Sequence, residues 1–522
     1  MLAALRPVAM EAARERVDMS GEAAARPGAG KSKKGGMYPV HCVIGFAIMA
    51  VFWLIPPLEP ITEIGMRVVG VFLMMVYLWS TIGTLWPSVV GLFFLGVSGV
   101  AGDAGFNGVF MNSIGNYMVL MCMFAFVLFG GLDDCGATMH IARWMLTRKV
   151  FKGRPLVFLG LFIACSFAMA ALIGGGPAMI IMWPIGLRIM EILGVKREDS
   201  VWKFFFIGQF LGVTLGQPFF PFKGAAMGPI ATFATMSANM GEAHAIPYLS
   251  YMLISGIMTA LIICVYLLAI KLLRVDLGKM RNIDPEMIAE QLPLGKMNFR
   301  QKCYMVMLPT FILALLLPSF FKGIPLFDFL NSIGVLGVAA FTTILFLVIR
   351  VDGKPLLDFK EVAYRKFDWG VFFMLAAALY SATLLSNKSL GITAWITNAL
   401  SPLLSGRSEL AFVAILFTVA LIITSFANNA AMGIVLMPIA ITFSNQMGID
   451  PTPVAIGVCL VVFVAMLTPA ASPYTAMMWG NKEIYSPKEI LQVGFPLCFG
   501  MLALYIFVGY PLAKFILATV GV

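Results

Sequence analysis

Long apolar runs separated by short polar loops occupy nearly the whole chain from about residue 40 onward. About 20 apolar helical residues cross a bilayer core of about 30 Å, so each full-length run predicts a membrane-spanning helix. Some runs instead fold back as a hairpin, and others are broken midway by polar or glycine-rich residues. We therefore predict eleven crossings and two hairpins that enter and leave on one side. The predicted unbroken crossings are 40–56, 66–82, 86–101, 117–137, 248–270, 303–321, 332–350, 369–386 and 491–517, the broken crossings are 201–236 and 452–480, and the hairpins are 156–190 and 409–446.

The breaks in the second half of the chain are Ser425 to Asn429 and Thr468 to Thr475. Backbone polar groups within hydrocarbon must be satisfied by the protein, so a break at that depth is tolerated only where it is buried or lines a wet cavity. Two such breaks close together in sequence indicate a binding site built from helix ends near the middle of the membrane. Many secondary transporters have this arrangement.

The same pattern occurs earlier in the chain and predicts an internal repeat. Pro184 in IIMWPIG matches Pro438 in VLMPIA at an offset of 254 residues, and Pro221 matches Pro473 at an offset of 252 residues. Two breaks in each half, in one order and at nearly one offset, are typical of a duplicated transporter fold. The alternative is coincidence, since membrane helices are rich in glycine and proline.

Composition supports an all-α polytopic membrane protein. The chain has 522 residues, of which 60% are hydrophobic and only 12% charged, unlike a soluble domain. Its eight Cys and three His are scattered without the spacing of a metal site, so we predict no metal centre of that kind. The net charge of +10 does not predict nucleic-acid binding, because the basic residues collect in particular loops.

Those basic residues alternate between loops and so predict the orientation. By the positive-inside rule, the N-terminus lies in the cytoplasm and the C-terminus outside, in the plasma (inner) membrane. The two hairpins then enter from opposite sides, as two inverted repeats require. The predicted organisation is a disordered cytoplasmic tail (1–37), a first membrane repeat with a leading helix (38–270), a cytoplasmic linker (271–302) and a second, inverted repeat (303–522).

Three consecutive glycines, Gly174, Gly175 and Gly176, interrupt the first predicted hairpin in the sequence IGGGPAM. An anion site needs hydrogen-bond donors and positive potential, and a helix N-terminus supplies both. Glycines let backbone N–H groups approach a ligand, and Pro177 suits the first turn of the returning helix. We predict that these glycines bind substrate, the alternative being only a tight turn or close helix packing.

The second half offers side chains at the matching places. Asn428 and Asn429 have amide donors for an anion and carbonyl oxygens for a cation, and capping of a helix by these residues is compatible with that role. Thr468, Ser472 and Thr475 add hydroxyl groups from the second broken span. We predict that Asn428, Asn429, Ser472 and Thr475 contact substrate, and that Asn429, Thr468 and Ser472 form a candidate sodium site.

Two polar residues lie in the first broken span. Gln217 marks the break itself, and Lys223 lies between apolar runs in PFFPFKGAAMG. An intramembrane Lys costs roughly 2.5–3.5 kcal/mol, so such residues are functional candidates, the alternative being a Lys that reaches out to water. We predict that both residues contact substrate. Arg67, Asp133 and Asp134 lie near segment ends and are interpreted as structural or interfacial.

At these residues the chain resembles the divalent anion–sodium symporter family of the ion transporter superfamily. The segment TPAASPYTAMMWG resembles the family's loop, and TSFANNAAMGIVLMPI resembles its hairpin tip; PITEIGMRVVGVFLMMVYLW and GITAWITNALSPLL resemble further family segments. The resemblance covers nearly the whole chain from about residue 40. It implies homodimers, a fixed scaffold domain and an elevator-type transport domain that holds substrate between two hairpin tips and two broken helices. Family members carry di- and tricarboxylates or sulfate, usually with sodium.

The chain departs from the family at both tips. The family's Ser-Asn-Thr corresponds to Asn428, Asn429 and Ala430 in the second half, and to three glycines in the first half. Lys223 stands where the family usually has Asn, so the resemblance implies that a tethered ammonium replaces one bound cation. A buried ammonium can also lose its proton, which would allow proton coupling. Any remaining sodium site belongs to the second half.

The leading hypothesis is therefore a cation-coupled, secondary-active transporter of small anions that needs no cofactor other than Na⁺ as coupling ion. A membrane-embedded enzyme would need a catalytic set within the breaks, and none is present, so we predict that the protein is not an enzyme. A channel is a third class, but broken helices in an inverted repeat favour alternating access. Within transport, the alternatives are a sodium/proton or arsenite-type antiporter, for which Asp133 and Asp134 are the nearest carboxylates, and a cation-independent anion exchanger.

Overall fold

The computed structural model is helical almost throughout. A two-stranded antiparallel ladder, β1 (Arg350–Val351) with β2 (Lys354–Pro355), is the only sheet among the residues that the structure describes. The predicted tail, residues 1–37, lies outside the described residues apart from Met37. The structure describes residues 37–241, 244–292, 294–319, 321, 323–404 and 406–520.

In the part of the first half that the structure describes there are eleven α-helices, which end where the polar linker begins. Several of these helices begin at a proline or behind a side-chain cap, as expected for apolar segments entered from a polar loop. They are α1 (Tyr38–Leu54), α2 (Glu63–Thr81), α3 (Leu85–Val97), α4 (Gly105–Ile114), α5 (Tyr117–Asp134), α6 (Ala137–Leu146), α7 (Pro155–Ile173), α8 (Gly175–Ile192), α9 (Ser200–Gly216), α10 (Met227–Asn239) and α11 (Tyr248–Leu272).

The second half follows a short linker helix, α12 (Pro285–Gln291). Its last helix continues through a single π-helical turn, Tyr505–Gly509, into a final segment. The helices are α13 (Phe299–Leu316), α14 (Pro325–Val348), α15 (Phe359–Arg365), α16 (Trp369–Leu385), α17 (Ile392–Leu404), α18 (Glu409–Phe426), α19 (Asn429–Gln446), α20 (Pro451–Val461), α21 (Pro473–Gly480), α22 (Pro487–Leu504) and α23 (Tyr510–Val520).

Within the described residues, eight helices are long and apolar enough to cross a membrane, or ten if each of two bent pairs is one span. The three shorter apolar helices, Tyr38–Leu54, Ser200–Gly216 and Pro451–Val464, lie in crossings that the sequence predicted. The region predicted as one crossing at 86–101 is instead bent by 119° into α4. Gly99, with φ of +84°, lies in that bend, where glycine adopts a conformation that other residues avoid.

Both predicted hairpins and both predicted broken helices are confirmed. Helices α7 and α8 meet at Gly174, and α18 and α19 meet at Ala427 and Asn428. The break in the first half separates α9 from α10, and the break in the second half separates α20 from α21. The two halves therefore repeat one order of elements, a hairpin followed by a broken helix, which is the fold that the proline offsets predicted.

The two halves interlock around their broken helices. Thr214 in α9 donates to the carbonyl of Phe463, which follows α20, at 2.7 Å. Helix α10 packs so closely against α19 that a Cβ on Gly433 would clash with the ring of Pro229. Small residues at such crossings allow helix backbones to approach closely in a membrane. This packing brings the two hairpin tips into one region of the molecule.

The linker is held to the first repeat by charged contacts. Lys279 pairs with Asp199 at 2.6 Å, and Asp284 at the start of α12 pairs with Lys152 at 2.6 Å. Hydrogen bonds from these ammonium groups hold the pKa of both carboxyl groups below the ordinary value of an aspartate. The linker is therefore docked on the first repeat next to the hairpin helices.

Candidate functional site

The first hairpin tip uses its three glycines differently. Gly174 has φ of +91° and ψ of 164°, a conformation open essentially only to glycine. A Cβ on Gly175 would lie 2.6 Å from Cδ1 of Tyr474, so close approach of the ring requires glycine there. A Cβ on Gly176 would meet only Sδ of Met477, at 3.9 Å. The fold thus explains the first two glycines and leaves the third unexplained.

Gly175 and Gly176 form the first turn of α8 and present unpaired backbone donors. Their N–H groups have no acceptor among the hydrogen bonds of the described residues, and Pro177 has no N–H to offer. Gly176 is half-buried and Pro177 is exposed, so the first turn is accessible. Free donors at the positive end of a helix dipole attract an anion.

Gln217 lies directly behind this tip, at the end of α9. Its Oε1 would be 3.2 Å from a Cβ on Gly175, and this atom is buried without a hydrogen-bond partner among the described residues. A buried polar atom without a partner is uncommon because it loses the hydrogen bonds that water would provide. Gln217, which marks the break of the first broken span, therefore lies beside the first hairpin tip.

The second hairpin tip contains two asparagines, Asn428 and Asn429, that form different hydrogen bonds. Asn428 caps α19, since its side-chain oxygen accepts from the N–H of Ala431 at 3.2 Å. Its NH₂ group has no acceptor in the part of the chain that the structure describes. The N–H of Asn429 donates to the carbonyl of Ala471 at 2.9 Å and so joins the tip to the second break.

The side chain of buried Asn429 is surrounded by oxygens. One atom of its amide is 2.7 Å from Oγ1 of Thr424, 3.1 Å from the carbonyl of Val462 and 2.8 Å from the carbonyl of Ala471. The other amide atom is 3.4 Å from the hydroxyl of Tyr474. With nitrogen on the crowded side, the two N–H groups of the amide lie within donating distance of these three oxygens. With oxygen on that side, four neutral oxygens converge, which is a donor set that suits a monovalent cation.

The other predicted residues of the second break have local partners. Ser472 caps α21 by accepting from the N–H of Thr475 at 3.1 Å, and the two hydroxyls are 2.6 Å apart. Thr468 donates to the carbonyl of Ser425, near the end of α18. Ser472 follows Ala471, so it is next to the oxygens around Asn429. Asn429, Thr468 and Ser472 are thus brought close to one another, although Thr424 is the hydroxyl nearest to Asn429.

Tyr474 connects the two tips and was not singled out in the sequence. Its ring covers Gly175 of the first tip, and its hydroxyl faces Asn429 of the second. The signal that could have identified it is a tyrosine directly after Pro473, within the first turn of the helix that follows the break. Because Tyr474 contacts both tips, the N-termini of α8, α19 and α21 converge on one region.

Lys223 contacts the end of α7, next to the first hairpin tip. Its ammonium donates to the carbonyl of Ala171 at 3.1 Å and to that of Leu172, and it lies 4.3 Å from the ring centre of Phe129. These carbonyls belong to the last turn of α7, whose C-terminal end attracts a positive charge. The side chain is 9% exposed, so Lys223 does not reach out to water.

The sequence offset between the two halves pairs Lys223 with Thr475. The hydrogen-bond contacts instead pair Lys223 with Thr468. Ala171 and Ser425 are 254 residues apart, which is the offset of the two hairpins, and both lie near the end of the first hairpin helix. Lys223 donates to the carbonyl of Ala171, and Thr468 donates to the carbonyl of Ser425. One half therefore holds this helix end with an ammonium, and the other half holds it with a hydroxyl.

The charged residues interpreted as structural form ion pairs. Arg67 pairs with Glu63 at 2.5 Å. Asp133 pairs with Lys366 at 2.8 Å, and Asp134 pairs with Arg300 at 3.2 Å. Each carboxylate is thus already compensated by a cation from the second half.

Comparison with known proteins places this geometry in a family. The sequence model of the sodium:sulfate symporter transmembrane region matches residues 39–517. The chain belongs to this family. The resemblance inferred from the tips and breaks is therefore confirmed, and the protein is an integral membrane protein of a transporter family.

Three relatives share limited sequence with this chain. It is 26% identical over 136 residues to the transporter YfbS of Escherichia coli strain K12, and 27% identical over 141 residues to the sodium-dependent high-affinity dicarboxylate transporter 2 of Caenorhabditis elegans. A transporter of Haemophilus influenzae is 23% identical over 168 residues. These matches cover 26%, 27% and 31% of this chain, and only 22%, 25% and 36% of the relatives' own lengths.

One solved structure shares the fold of this symporter family member. The crystal structure of the YdaH transporter of Alcanivorax borkumensis, described as having an unusual topology, superposes with a TM-score of 0.54 at 14% identity. The superposition covers 92% of this chain and 98% of that chain. The similarity shows that this chain shares that overall fold across almost its whole length.

Proposed function

We propose that the protein is a sodium-coupled, secondary-active transporter of small dianions such as dicarboxylates. The observation that carries this proposal is the convergence of α8, α19 and α21, whose N-termini meet around Tyr474. Helix N-termini provide donors and positive potential without several buried cations, which suits an anion that must be bound and then released.

The distribution of donors favours a substrate with two anionic ends. The first tip offers the N–H groups of Gly175 and Gly176 together with the amide of Gln217, and the second tip offers the NH₂ group of Asn428. Tyr474 lies between the tips. A dicarboxylate can engage both sets at once, whereas a small monoanion would leave one set unpaired. The name of the Caenorhabditis elegans relative agrees with this substrate class.

Sodium coupling rests on the oxygens around Asn429. Thr424, Val462 and Ala471 would hold the ion together with the Asn429 side-chain oxygen, all of them neutral ligands. A cation there places positive charge beside an anion bound at the second tip. In the first half, the ammonium of Lys223 provides the corresponding charge, so the proposal includes one sodium site in the second half and none in the first.

Transport is proposed to occur by an elevator movement. The hairpins and broken helices form the moving unit, because they contact one another across the two halves through α10 with α19 and through Thr214 with Phe463. The remaining helices would act as the scaffold, and two copies would form a homodimer in the plasma membrane. The N-terminus is proposed to be cytoplasmic and the C-terminus outside, which labelling of single-Cys tags at each end would test.

The sodium/proton antiport alternative has less support. It requires a carboxylate that is free to exchange cations, but Asp133 and Asp134 are held in ion pairs with Lys366 and Arg300. The oxygens that do converge near the tips come from neutral groups. An antiporter of that kind is therefore the outcome that the transport assay should exclude.

An uptake screen tests the proposed function directly. Proteoliposomes containing the full chain would be given labelled succinate, citrate, sulfate or a sulfonate, with an inward gradient of either sodium or choline. We expect saturable, sodium-dependent uptake of a dicarboxylate. Equal uptake in both gradients would favour an exchanger, and sodium-driven proton release without anion uptake would overturn the proposal in favour of antiport.

Substitutions of two glycines at the first tip are expected to separate folding from binding. Gly174→Ala should cost roughly 1–3 kcal/mol of stability, because its φ of +91° disfavours a Cβ. Gly176→Ala should leave stability nearly unchanged, since a Cβ meets only Met477, but it should raise the KM for anion uptake roughly tenfold by crowding the free N–H groups. Thermal unfolding and uptake kinetics measure the two effects. An unchanged KM in Gly176→Ala would remove this turn from the binding site.

A further inference from the structure

A groove of about 590 Å³ lies between α9, α11 and α22, and none of its lining residues belongs to a hairpin tip. Its volume is within the range of about 300–1,000 Å³ that is typical of ligand sites. Most of its wall is apolar and includes Ile262 and Val265 from α11 and Leu497 and Leu504 from α22. The groove therefore suits a hydrophobic ligand over most of its length.

Two cations, Lys203 and Arg274, stand at one end of the groove. Neither forms an ion pair with any acid in the part of the chain that the structure describes. Among the acids nearby in sequence, Asp199 pairs with Lys279, Glu489 pairs with Arg197, and Asp276 accepts from the N–H of Gly278. The end of the groove thus has two positive charges that the described residues do not compensate.

Arg274 has a left-handed backbone conformation that is unusual for a residue with a side chain. Arg274 has φ of 52° and follows the last turn of α11, where the N–H of Val275 bonds the carbonyl of Ile270 at 3.2 Å. This is the Schellman arrangement, and glycine is the usual residue at that left-handed position. A non-glycine residue there is strained. An arginine at this position therefore bears a conformational cost that a glycine would not.

The groove opens toward the bilayer. Val265 of α11 and Leu273 directly after it, which both line the groove, are 40% and 65% exposed, and α11 is a 25-residue helix of high hydropathy. Lys203 lies in the first turn of α9, and Arg274 lies just past the end of α11, so both cations lie where helices reach the membrane surface. An apolar groove with a cationic end at that level matches an amphiphile with an anionic head, because basic pockets between membrane helices bind such headgroups.

We propose that this groove binds an anionic phospholipid. The phosphate is held by Lys203 and Arg274, and an acyl chain lies along Ile262, Val265 and Leu504. A free phosphate or a soluble anion does not account for the apolar walls. The site is separate from the proposed substrate site, so it stands whether or not the protein carries a dicarboxylate.

The test compares lipids on the purified full chain in a neutral detergent. Binding of dioleoyl phosphatidylglycerol is measured by native mass spectrometry and by the rise in the thermal-unfolding midpoint. Phosphatidylcholine with the same acyl chains is the control for a lipid without net charge. Glycerol 3-phosphate is the control for the headgroup without acyl chains. We expect binding and a raised midpoint with phosphatidylglycerol alone. An equal effect of phosphatidylcholine, or a full effect of glycerol 3-phosphate, would overturn the proposal.

Substitutions locate the effect in the groove. The double variant Lys203→Gln with Arg274→Gly should bind phosphatidylglycerol roughly 30-fold more weakly, since each basic residue contributes to binding an anionic headgroup. Arg274→Gly also suits the left-handed backbone, so loss of binding cannot be attributed to a damaged helix end. The matched control is Lys271→Gln, on the same helix end but outside the groove lining, which should bind like wild type. Wild-type binding by the double variant would exclude the site.

Discussion

Replacing Asn429 by alanine is expected to lower sodium-dependent anion uptake roughly 100-fold or more while the protein still inserts and folds. The substitution leaves the oxygens of Thr424, Val462 and Ala471 without their shared partner and removes the contact to Tyr474. The fold should be retained, because Oγ1 of Thr424 still donates to the carbonyl of Val462 at 2.9 Å and the backbone N–H at position 429 still donates to the carbonyl of Ala471. Uptake should fall because the proposed sodium site loses its side-chain oxygen. Uptake into proteoliposomes and size-exclusion profiles in detergent measure the two properties. Unchanged uptake kinetics would remove Asn429 from the site.

The Asn429→Asp variant distinguishes a cation site from a purely structural amide. If the amide only donates hydrogen bonds to the three oxygens, a carboxylate in its place faces them with negative charge, and stability should fall. If these oxygens hold sodium, the carboxylate keeps the ligand, and sodium should raise the unfolding midpoint of the variant at least as much as that of wild type. Choline chloride at equal ionic strength is the control. We expect the second outcome, and sodium-independent destabilisation would argue against the proposed ion site.

Lys223→Met is expected to abolish substrate accumulation. The substitution removes two charge-assisted hydrogen bonds to the carbonyls of Ala171 and Leu172, each worth roughly 1.5–3 kcal/mol, and the positive charge behind the first tip. Uptake should therefore fall roughly 100-fold or more. Transport with wild-type affinity and wild-type cation dependence would show that the ammonium has no part in binding or coupling.

Two further variants distinguish the effect of the Lys223 charge from the effect of its packing. Lys223→Asn removes the ammonium but supplies an oxygen, so sodium should partly replace the lost charge, and the Hill coefficient for sodium should rise above that of wild type. Thr468→Val removes the corresponding contact to Ser425 in the second half without changing charge. It should weaken transport without raising the Hill coefficient for sodium. A Hill coefficient that does not change in Lys223→Asn would contradict the tethered-cation hypothesis.

The order and bounds of the main elements could be predicted from the sequence with good precision. The hairpin predicted at 409–446 is α18 and α19, and the broken span predicted at 452–480 is α20 and α21. Such accuracy is expected, because apolar length, polar breaks and proline positions are local properties that a bilayer makes decisive. The bend after α3 was missed, since glycines that turn a helix resemble glycines that merely pack it.

The sequence by itself determined the membrane class, the repeat of hairpin and broken helix, and the places where polar residues break that repeat. Only the tertiary structure decided which groups meet. Tyr474 contacts both tips, Thr424 lies beside Asn429, and Lys223 holds the end of α7. These contacts join segments up to about 300 residues apart, and their distances depend on how the two halves cross. Spacing along a chain cannot report such crossings, because close helix packing is settled by three-dimensional fit between whole surfaces.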